Sequence, residues 1–319
     1  MSLERWLDGL STYAAIPYRP LVVHAELSTA MGDACAAFLE GHSGQPVHRV
    51  EVENVGPGSS TALTRRDFLR FLVMAKKDRL VLDWSVRDYL RDQPREELSI
   101  LELVNDEGEL ALSQALRAIV SSKADDDMIP VSTFSESGLK GVFGYVSLSQ
   151  ILATCAGHWQ GTCDEICSIG IAREVYLCSA ETTLAEAIET LLENNLEICQ
   201  ISDSVLTVDS VLAGITRVLH EPEIPKERES HMDRALGCPA IKFAEKSTRL
   251  PDHEGDELPL VSFVEEGQFP ILVRDLVAKA LLCQSEILVV RLKDGLMKSV
   301  GLRQVLSVLQ GLGDHVFEL

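Results

Sequence analysis

The sequence of 319 residues contains no long apolar run and has a deficit of positive charge. None of its apolar stretches approaches the roughly 20 residues that span a bilayer, so we expect no membrane-spanning segment. The first residues, MSLERWLDGLSTY, lack an apolar core, and we expect no signal peptide. The 29 Lys and Arg residues stand against 49 Asp and Glu residues, a formal net charge of −20. The longest basic clusters, Thr64–Arg66 and Lys76–Lys77, are too short for a nucleic-acid face, so we expect neither nucleic acid nor membrane as a partner.

The sequence also lacks a nucleophile accompanied by a base and an orienting group in the spacing of a covalent catalyst. We therefore expect a protein that is not an enzyme. What is present, 46% hydrophobic and 24% charged residues, is the composition of a folded chain long enough for two domains.

Eight cysteines occur, most of them inside apolar helical or strand-like patterns, which is typical of reduced thiols in a cytoplasmic protein. Four residues have a ligand-like C-x2-H-x4-C-x3-C spacing that is loosely similar to a zinc knuckle: Cys155, His158, Cys163 and Cys167. Because this spacing is not a standard one, a cysteine-rich linker without metal is the favoured interpretation. A metal assay on the purified protein decides between the two.

One amphipathic helical pattern occurs four times, at intervals of roughly 80 residues, with apolar residues on a single face at 3.6 residues per turn. The four helices begin at Met31, Leu112, Leu184 and Val273. Thr183 and Glu186 have the spacing of a capping box at the start of the third helix. These helices define four repeats, one to four in chain order.

A short apolar strand follows each helix, and a second helix start follows the strand. By pattern, the second helices open at Thr64–Leu69, Ser147–Leu152, Gly214–Leu219 and Gly301–Leu306. In three of the repeats, a glycine-bearing turn separates the two strands of a predicted hairpin, which precedes the second helix. Each unit is therefore predicted to be strand, helix, strand, strand, helix, which makes an α/β (α+β) protein.

A single unit of this kind leaves one sheet face open, so we expect the units to pair. Repeats one and two form the first pair over residues 21–155, and repeats three and four form the second over 172–312. The polar, proline-containing stretch 221–259 is predicted to be an insertion, mainly loop, with Ala240–Phe243 as the opening strand of repeat four. An N-terminal segment 1–20, a linker 156–171 and a C-terminal tail 313–319 complete the division.

The quoted residues resemble cystathionine beta-synthase (CBS) repeats. The resemblance rests on the helix opening Ser179–Ile188, on the strand Ile129–Val131, and on the hairpin endings Leu63–Leu69 and Gly144–Leu152. A chain of four such repeats without a catalytic domain is most similar to the gamma regulatory subunits of AMP-activated protein kinase. The resemblance implies two pairs, called Bateman modules, in a disc-like body.

The same resemblance implies adenine-nucleotide sites in the clefts between paired repeats, with AMP, ADP or ATP as ligand. In this family a Thr or Ser, followed three residues later by Asp, holds the ribose at the second helix's start; repeat one retains this pair as Thr64 and Asp67. Arg65 and Arg66 lie between them and can contact phosphate. Repeat two keeps Ser147 with Gln150 and loses the carboxylate, which makes a second site doubtful. Repeats three and four, aligned at Gly214 with Arg217 and at Gly301 with Gln304, offer no acid.

Two alternatives stay open. Thr64 and Asp67 are also the residues that any helix start favours, because a cap and an acid in the first turn complement the helix dipole. If these residues bind a nucleotide, as the resemblance implies, the chain is a non-catalytic, nucleotide-sensing regulatory subunit bound to a partner such as a kinase catalytic subunit; this is the first functional hypothesis. The second is a structural or adaptor protein within a larger assembly, whose degenerate nucleotide sites are little used.

The N-terminal segment carries its own amphipathic pattern, with Leu3, Trp6, Leu7 and Leu10 on one helical face ahead of Pro17. This face is expected to dock on the chain's own repeats, with docking on a partner as the alternative.

Overall fold

The computed structural model shows all four predicted apolar helices, three of them inside a complete unit of the predicted kind. The description below covers residues 3–15, 22–42, 49–53, 61–93, 111–121, 128–134, 140–157, 166–167, 170, 172–220, 228–246, 260–283 and 286–311.

The first half of the chain contains a short N-terminal helix, repeat one and the described part of repeat two. Its elements are α1 (Leu3–Leu7), a 3₁₀ turn (Thr12–Ala15), β1 (Val22–Glu26), α2 (Met31–His42), β2 (Arg49–Glu53), β3 (Thr61–Thr64), α3 (Arg65–Lys77), a 3₁₀ turn (Arg79–Asp83), α4 (Val86–Asp92), α5 (Leu112–Ser121), β4 (Met128–Phe134), β5 (Lys140–Ser147) and α6 (Leu148–Gly157).

The second half contains two short linking strands, repeat three, an intervening helical segment and repeat four. Its elements are β6 (Ile166–Cys167), β7 (Arg173–Glu174), β8 (Tyr176–Cys178), α7 (Leu184–Glu193), β9 (Ile198–Ile201), β10 (Ser204–Thr207), α8 (Val208–His220), α9 (Arg228–Gly237), a 3₁₀ turn (Ala240–Phe243), β11 (Ser262–Glu265), a 3₁₀ turn (Glu266–Gln268), β12 (Ile271–Leu272), α10 (Val273–Leu281), β13 (Ile287–Arg291), β14 (Met297–Gly301) and α11 (Leu302–Gly311).

The sheets repeat one topology. In repeats one, three and four the first strand runs parallel to the second, and the second pairs antiparallel with the third: β1-β2-β3, β8-β9-β10 and β11-β13-β14. Repeat two shows the corresponding hairpin β4-β5. A parallel pair needs a helical crossover, which α2, α7 and α10 supply. The predicted order of strand, helix, strand, strand, helix is thus confirmed in repeats one, three and four.

The hairpin edges of repeats three and four are sealed by exchanged segments. β7, which leads into repeat three, pairs with β14 of repeat four, where Glu174 lies opposite Lys298. Glu245, which precedes repeat four, exchanges both backbone hydrogen bonds with Val205 of repeat three, at 2.9 and 2.7 Å. Each repeat therefore covers an edge of the other, and unpaired edge strands are a liability that proteins cover in this way.

Helix packing joins repeats that are not adjacent in the sequence. One core joins the helices of repeat one to those of repeat three, and within it the Phe38 and Phe68 rings stack at 4.4 Å beside Leu184 and Ile188. A second core joins repeat two to repeat four. A third, smaller core joins the sheets of repeats three and four, through side chains such as Val205 and Val289.

The N-terminal helix α1 packs on the chain's own repeats, as predicted. Leu3, Trp6 and Leu7 are buried in the core of repeats two and four, and Leu10 packs on its border. The carbonyl of Leu10 also accepts a hydrogen bond from the Leu112 amide at 2.8 Å, which satisfies an orphan donor at the start of α5.

The first helix of two other repeats is braced in the same way, by a hydrogen bond from its first amide to a carbonyl outside the repeat unit. One of these bonds belongs to a segment that corrects the prediction for residues 221–259. The carbonyl of Trp84 accepts from the Met31 amide and that of Cys238 accepts from the Leu184 amide, each at 2.8 Å. Part of the predicted loop is therefore a bracing segment, in which α9 and its 3₁₀ turn pack on repeat three with Leu236 and Ala240 buried. The strand predicted at 240–243 is wrong, because the opening strand of repeat four is β11.

The alignment of repeat three also needs correction. Its second helix begins at Val208, directly after the cap Thr207, whereas the sequence pattern placed the cap position at Gly214. The error is seven residues, or about two helical turns, and such a shift returns the apolar residues to the same face, so periodicity alone does not detect it. Gly214 lies inside α8, where a Cβ would overlap the Phe243 ring.

Candidate functional site

The N-terminal end of α3, which we call its entrance, contains the residues that the sequence analysis singled out. Asp67 is only 3% exposed, and its Oδ2 accepts hydrogen bonds from the Thr64 amide at 2.6 Å and from the Thr64 hydroxyl at 2.8 Å. The buried Tyr89 hydroxyl donates to Oδ1 and to the carbonyl oxygen of Asp67, both at 3.2 Å. The carboxylate therefore closes the start of α3 and ties it to α4, as the capping interpretation expected.

Arg65 and Arg66 contact carboxylates of repeat three. The Arg65 Nη1 atom donates to both oxygens of Asp209, at 2.8 and 2.9 Å. Arg66 donates from Nε at 3.2 Å and from Nη2 at 2.6 Å to Glu197 Oε1, and Nη2 also donates to the carbonyl of Leu196 at 3.1 Å. Both guanidinium groups are thus held by acceptors that lie more than 100 positions away in sequence.

The Arg65 ion pair lies in a largely buried joint. The Asp209 side chain is 3% exposed and that of Arg65 is 23% exposed. Burial lowers the pKa of Arg65, but attraction from Asp209 and Glu197, with a further contribution from Glu286, outweighs burial and raises the pKa above its ordinary value. The sequence analysis had assigned the positive charge of Arg65 to phosphate binding. Carboxylates of repeats three and four already balance this charge.

The entrance of α6 in repeat two is a neutral version of the same cap. The Ser147 amide donates to Gln150 Oε1 at 2.7 Å, and the Gln150 amide donates to the Ser147 hydroxyl oxygen at 3.2 Å. Because Leu148 lies in the core with repeat four, this entrance belongs to the other helix-packed half of the protein. In the described residues, these hydrogen bonds of Ser147 and Gln150 stay within repeat two, whereas Arg65 and Asp209 join repeats one and three.

The entrances of α8 and α11 are also capped by polar groups of their own first turns. In repeat three the Ser210 amide donates to Thr207 Oγ1 at 3.0 Å, and the Thr207 amide donates to Ser210 Oγ at 2.8 Å. In repeat four the Gly301 amide donates to Gln304 Oε1 at 3.0 Å. The corrected alignment shows that repeat three does carry an acid in this turn, since Asp209 lies between Thr207 and Ser210.

Sequence reasoning missed Asp209 and Glu197 as members of this site. The signal that points to Asp209 is the Thr207–Ser210 cap pattern, which marks the true start of α8. Nothing local marks Glu197, because it ends the turn before β9 and reaches Arg66 only through the packing of repeat one on repeat three.

The predicted zinc ligands are only partly placed. Cys155 is buried at 1% exposure in the core of repeats two and four, and burial raises the pKa of its thiol to about 12. Cys167 lies in β6, and His158 and Cys163 fall outside the described residues. Among the residues that the structure describes, no three His, Cys, Asp or Glu side chains are grouped to hold a metal ion. The favoured interpretation, a cysteine-rich linker without metal, stays a prediction, with zinc binding as its alternative.

In the described ranges, no helix combines the length and the apolar character needed to cross a bilayer.

The three mixed sheets with their crossover helices, the hairpin of repeat two and the four second-helix entrances define the class of this protein: a four-repeat α/β protein with the CBS fold. The sequence expectation for the fold class is thereby confirmed.

Among solved structures, the chain is similar to the crystal structure of protein MJ1225 from Methanocaldococcus jannaschii, which is described as a candidate archaeal homologue of γ-AMPK. The TM-score is 0.67 at 10% sequence identity, with 94% of this chain and 99% of that chain covered. At this identity the likeness establishes the fold. No protein-family model matches the chain, and no curated protein matches it in sequence.

Proposed function

We propose that this chain is a non-catalytic adaptor subunit of a protein assembly, in which the entrance of α3 is an internal joint between repeats. The observation that carries the proposal is the Arg65–Asp209 pair. The guanidinium that a nucleotide phosphate would need is bound to both oxygens of a buried carboxylate. The charge balance of the joint supports the same role.

The energetic cost of opening this joint is large compared with what a phosphate contact returns. Drawing Arg65 away leaves Asp209, at 2% exposure, as a buried charge without its ion-pair partner. Breaking one partner from a buried pair costs about 3–5 kcal/mol. At about 1.4 kcal/mol per tenfold change in affinity, this amounts to a roughly 100- to 4,000-fold weaker nucleotide complex. A net charge of −20 adds long-range repulsion of any anionic ligand.

A second candidate, a nucleotide-sensing regulatory subunit of a kinase or similar enzyme, is favoured by a different observation. Repeat one retains both Thr64 and Asp67 at a helix start, where a carboxylate can accept hydrogen bonds from two vicinal ribose hydroxyls. In that case AMP, ADP or ATP would regulate the assembly by binding one arrangement of the repeats more tightly than another. The similarity to a candidate γ-AMPK homologue supports this second candidate at the level of the fold.

Isothermal titration calorimetry with AMP, ADP and ATP distinguishes the two candidates. We expect no binding heat with the wild-type chain. Asp209→Asn, which releases Arg65 without adding charge, serves as the matched variant, because binding in that variant alone identifies the ion pair as the block. Wild-type binding that disappears in Asp67→Ala refutes the adaptor proposal and establishes the nucleotide site.

The adaptor role itself is tested by native purification of the chain followed by mass spectrometry of the associated proteins. We expect a stoichiometric protein partner that withstands washing with nucleotide. Purification of the chain alone, or release of its partner by AMP or ATP, contradicts the proposal.

A further inference from the structure

A charged seam joins repeat one to repeat three. Five cationic side chains of α3 and of the turn that follows it contact acceptors on repeat three or on α9, which braces repeat three. The contacts are Arg65 with Asp209, Arg66 with Glu197, Lys76 with the carbonyl of Leu236, Lys77 with Glu189, and Arg79 with Asp233. In each of these five contacts the cation belongs to the repeat-one side, so the seam is polar in one direction.

The sequence concentrates opposite charges on the two sides of this seam. Residues 65–79 contain six Lys or Arg and two Asp. Residues 175–216, which run from the start of repeat three into α8, contain seven Asp or Glu and no Lys or Arg. Within a chain of formal net charge −20, α3 is therefore a local positive surface that faces an acidic one.

This charge pattern distinguishes α3 from the second helices of the other repeats. α3 contains five Lys or Arg, whereas α6 has no charged side chain and α11 has Arg303 alone. α8 combines one acid, Asp209, with one Arg, Arg217. Because the apolar faces of these helices follow one pattern, charge is a property by which one second helix differs from the next.

The seam is buried at one end and exposed at the other. The Arg65 and Arg66 side chains are 23% and 8% exposed, whereas those of Lys77 and Arg79 are 69% and 59% exposed. Exposed ion pairs add little to the stability of a fold, so stability does not explain the outer half of the seam. Complementary charge instead decides which surfaces meet, because like charges placed opposite one another repel.

We propose that the charged seam selects repeat three as the packing partner of repeat one. Packing of repeat one on repeat one of a second copy would place cations together, and packing of repeat three on repeat three would place acids together. Packing of repeat one on repeat two or four would replace Asp209 by a residue of α6 or α11, whose sequences contain no Asp or Glu. The sorting of the repeats is independent of the adaptor role and of nucleotide binding.

The connection between the two halves decides that the partner is repeat three of the same chain. A tethered partner is present at an effective concentration on the order of 1 mM, so at about 20 μM protein, closure within one chain is favoured roughly 50-fold over exchange with a second copy. Charge thus selects the type of repeat, and tethering selects the copy. Reversing the charge on one side makes a second copy the better partner, provided that this copy carries the complementary reversal.

Two complementary variants of the full chain test the proposal. Lys77→Glu with Arg79→Glu makes the outer α3 side acidic, and Glu189→Lys with Asp233→Arg makes the outer repeat-three side basic; the inner pairs are unchanged. Equal amounts of the two variants are unfolded in urea, mixed, refolded at low ionic strength and examined by sedimentation velocity. The matched control combines all four substitutions in one chain, because its seam is complementary again.

The expected effect follows from the number of contacts that change sign. Each outer contact turns from attraction to repulsion when one side is reversed, which changes the equilibrium about fivefold. The two closed variants contain four such contacts, and a mixed dimer, in which each α3 packs on the other chain's repeat three, contains none. The gain of roughly 600-fold exceeds the roughly 50-fold advantage of closure. We expect a dimer in the mixture and not in the wild type or the control, and its loss at high salt, because salt screens the seam.

The outcomes separate cleanly. A mixture that stays monomeric, a mixed dimer that is unchanged at high salt, or dimers to the same extent in either variant alone, in the wild type or in the control overturns the proposal. A variant that fails to refold by itself still gives a result, since the mixture supplies its complementary partner and folded mixed dimer is expected. A control that unfolds at lower urea than either one-sided variant also overturns the proposal, because its outer contacts are attractive again.

Discussion

The buried ion pair between repeats one and three gives the sharpest prediction. Arg65→Met keeps the aliphatic stem and removes the guanidinium, which takes the Arg65 ion pair away from the Asp209 carboxylate, whose side chain is 3% exposed. The expected loss in the free energy of unfolding is about 3–5 kcal/mol, because the desolvated charge keeps its cost and loses its compensation. Replacement of both partners, Arg65→Met with Asp209→Leu, removes the stranded charge as well, and should recover most of the loss.

A double-mutant cycle measured by urea unfolding checks this reasoning. The single variants Arg65→Met and Asp209→Leu and the double variant should give a coupling energy of about 2–3 kcal/mol. Lys77→Met serves as control, because Lys77 pairs with Glu189 at the surface with 69% of its side chain exposed, and we expect no resolvable change. A loss below about 1 kcal/mol in Arg65→Met, or additive losses in the double variant, refutes the view that this pair joins the repeats.

Three further predictions concern packing and capping. Gly214→Ala places a methyl group against the Phe243 ring and should lower the free energy of unfolding by about 1–3 kcal/mol. Adding Phe243→Leu to the same chain should restore stability. An unchanged urea midpoint in Gly214→Ala alone contradicts the packing. Trp6→Ala empties a fully buried site in the core of repeats two and four and should cost about 3–5 kcal/mol by the same assay, whereas a helix docked on a partner would show no loss in the isolated chain. Hydrogen bonds from the backbone and side chain of Thr183 lower the pKa of Glu186. The ionised Glu186 therefore contributes to the stability of the fold above the ordinary carboxyl pKa, and this contribution is lost as pH falls through the folded-state pKa. In Glu186→Gln the midpoint of thermal unfolding should therefore vary less between pH 5 and pH 3 than in the wild type, and parallel profiles would contradict the assignment.

Local patterns were sufficient to predict the repeating unit. The apolar faces of α2, α5, α7 and α10 and the capping box of Thr183 with Glu186 lie where the sequence placed them. These features depend on residues within two turns of one another, so spacing is the whole of the information needed. The start of α8 was misplaced for the same reason, since a two-turn shift preserves the face.

The candidate site was predictable in part. Thr64, Arg65, Arg66 and Asp67 are at a helix start, as the pattern predicted, and their assignment to a nucleotide stays a prediction. What the sequence did not reveal is what the two arginines contact. Asp209 lies 144 residues from Arg65, and the correct helix start of repeat three was needed before it could be considered as a partner.

The sequence by itself determined the number of repeats and the order of their elements, because hydrophobic periodicity and capping act over a few neighbouring residues. Only the tertiary structure decided that the helices of repeat one pack on those of repeat three. It also decided that the N-terminal helix docks on repeats two and four, that short segments outside the repeats brace their first helices, and that Arg65 contacts Asp209. Those outcomes depend on which of several similar apolar faces fit together, and four copies of one pattern carry the same local signal whichever way they pair.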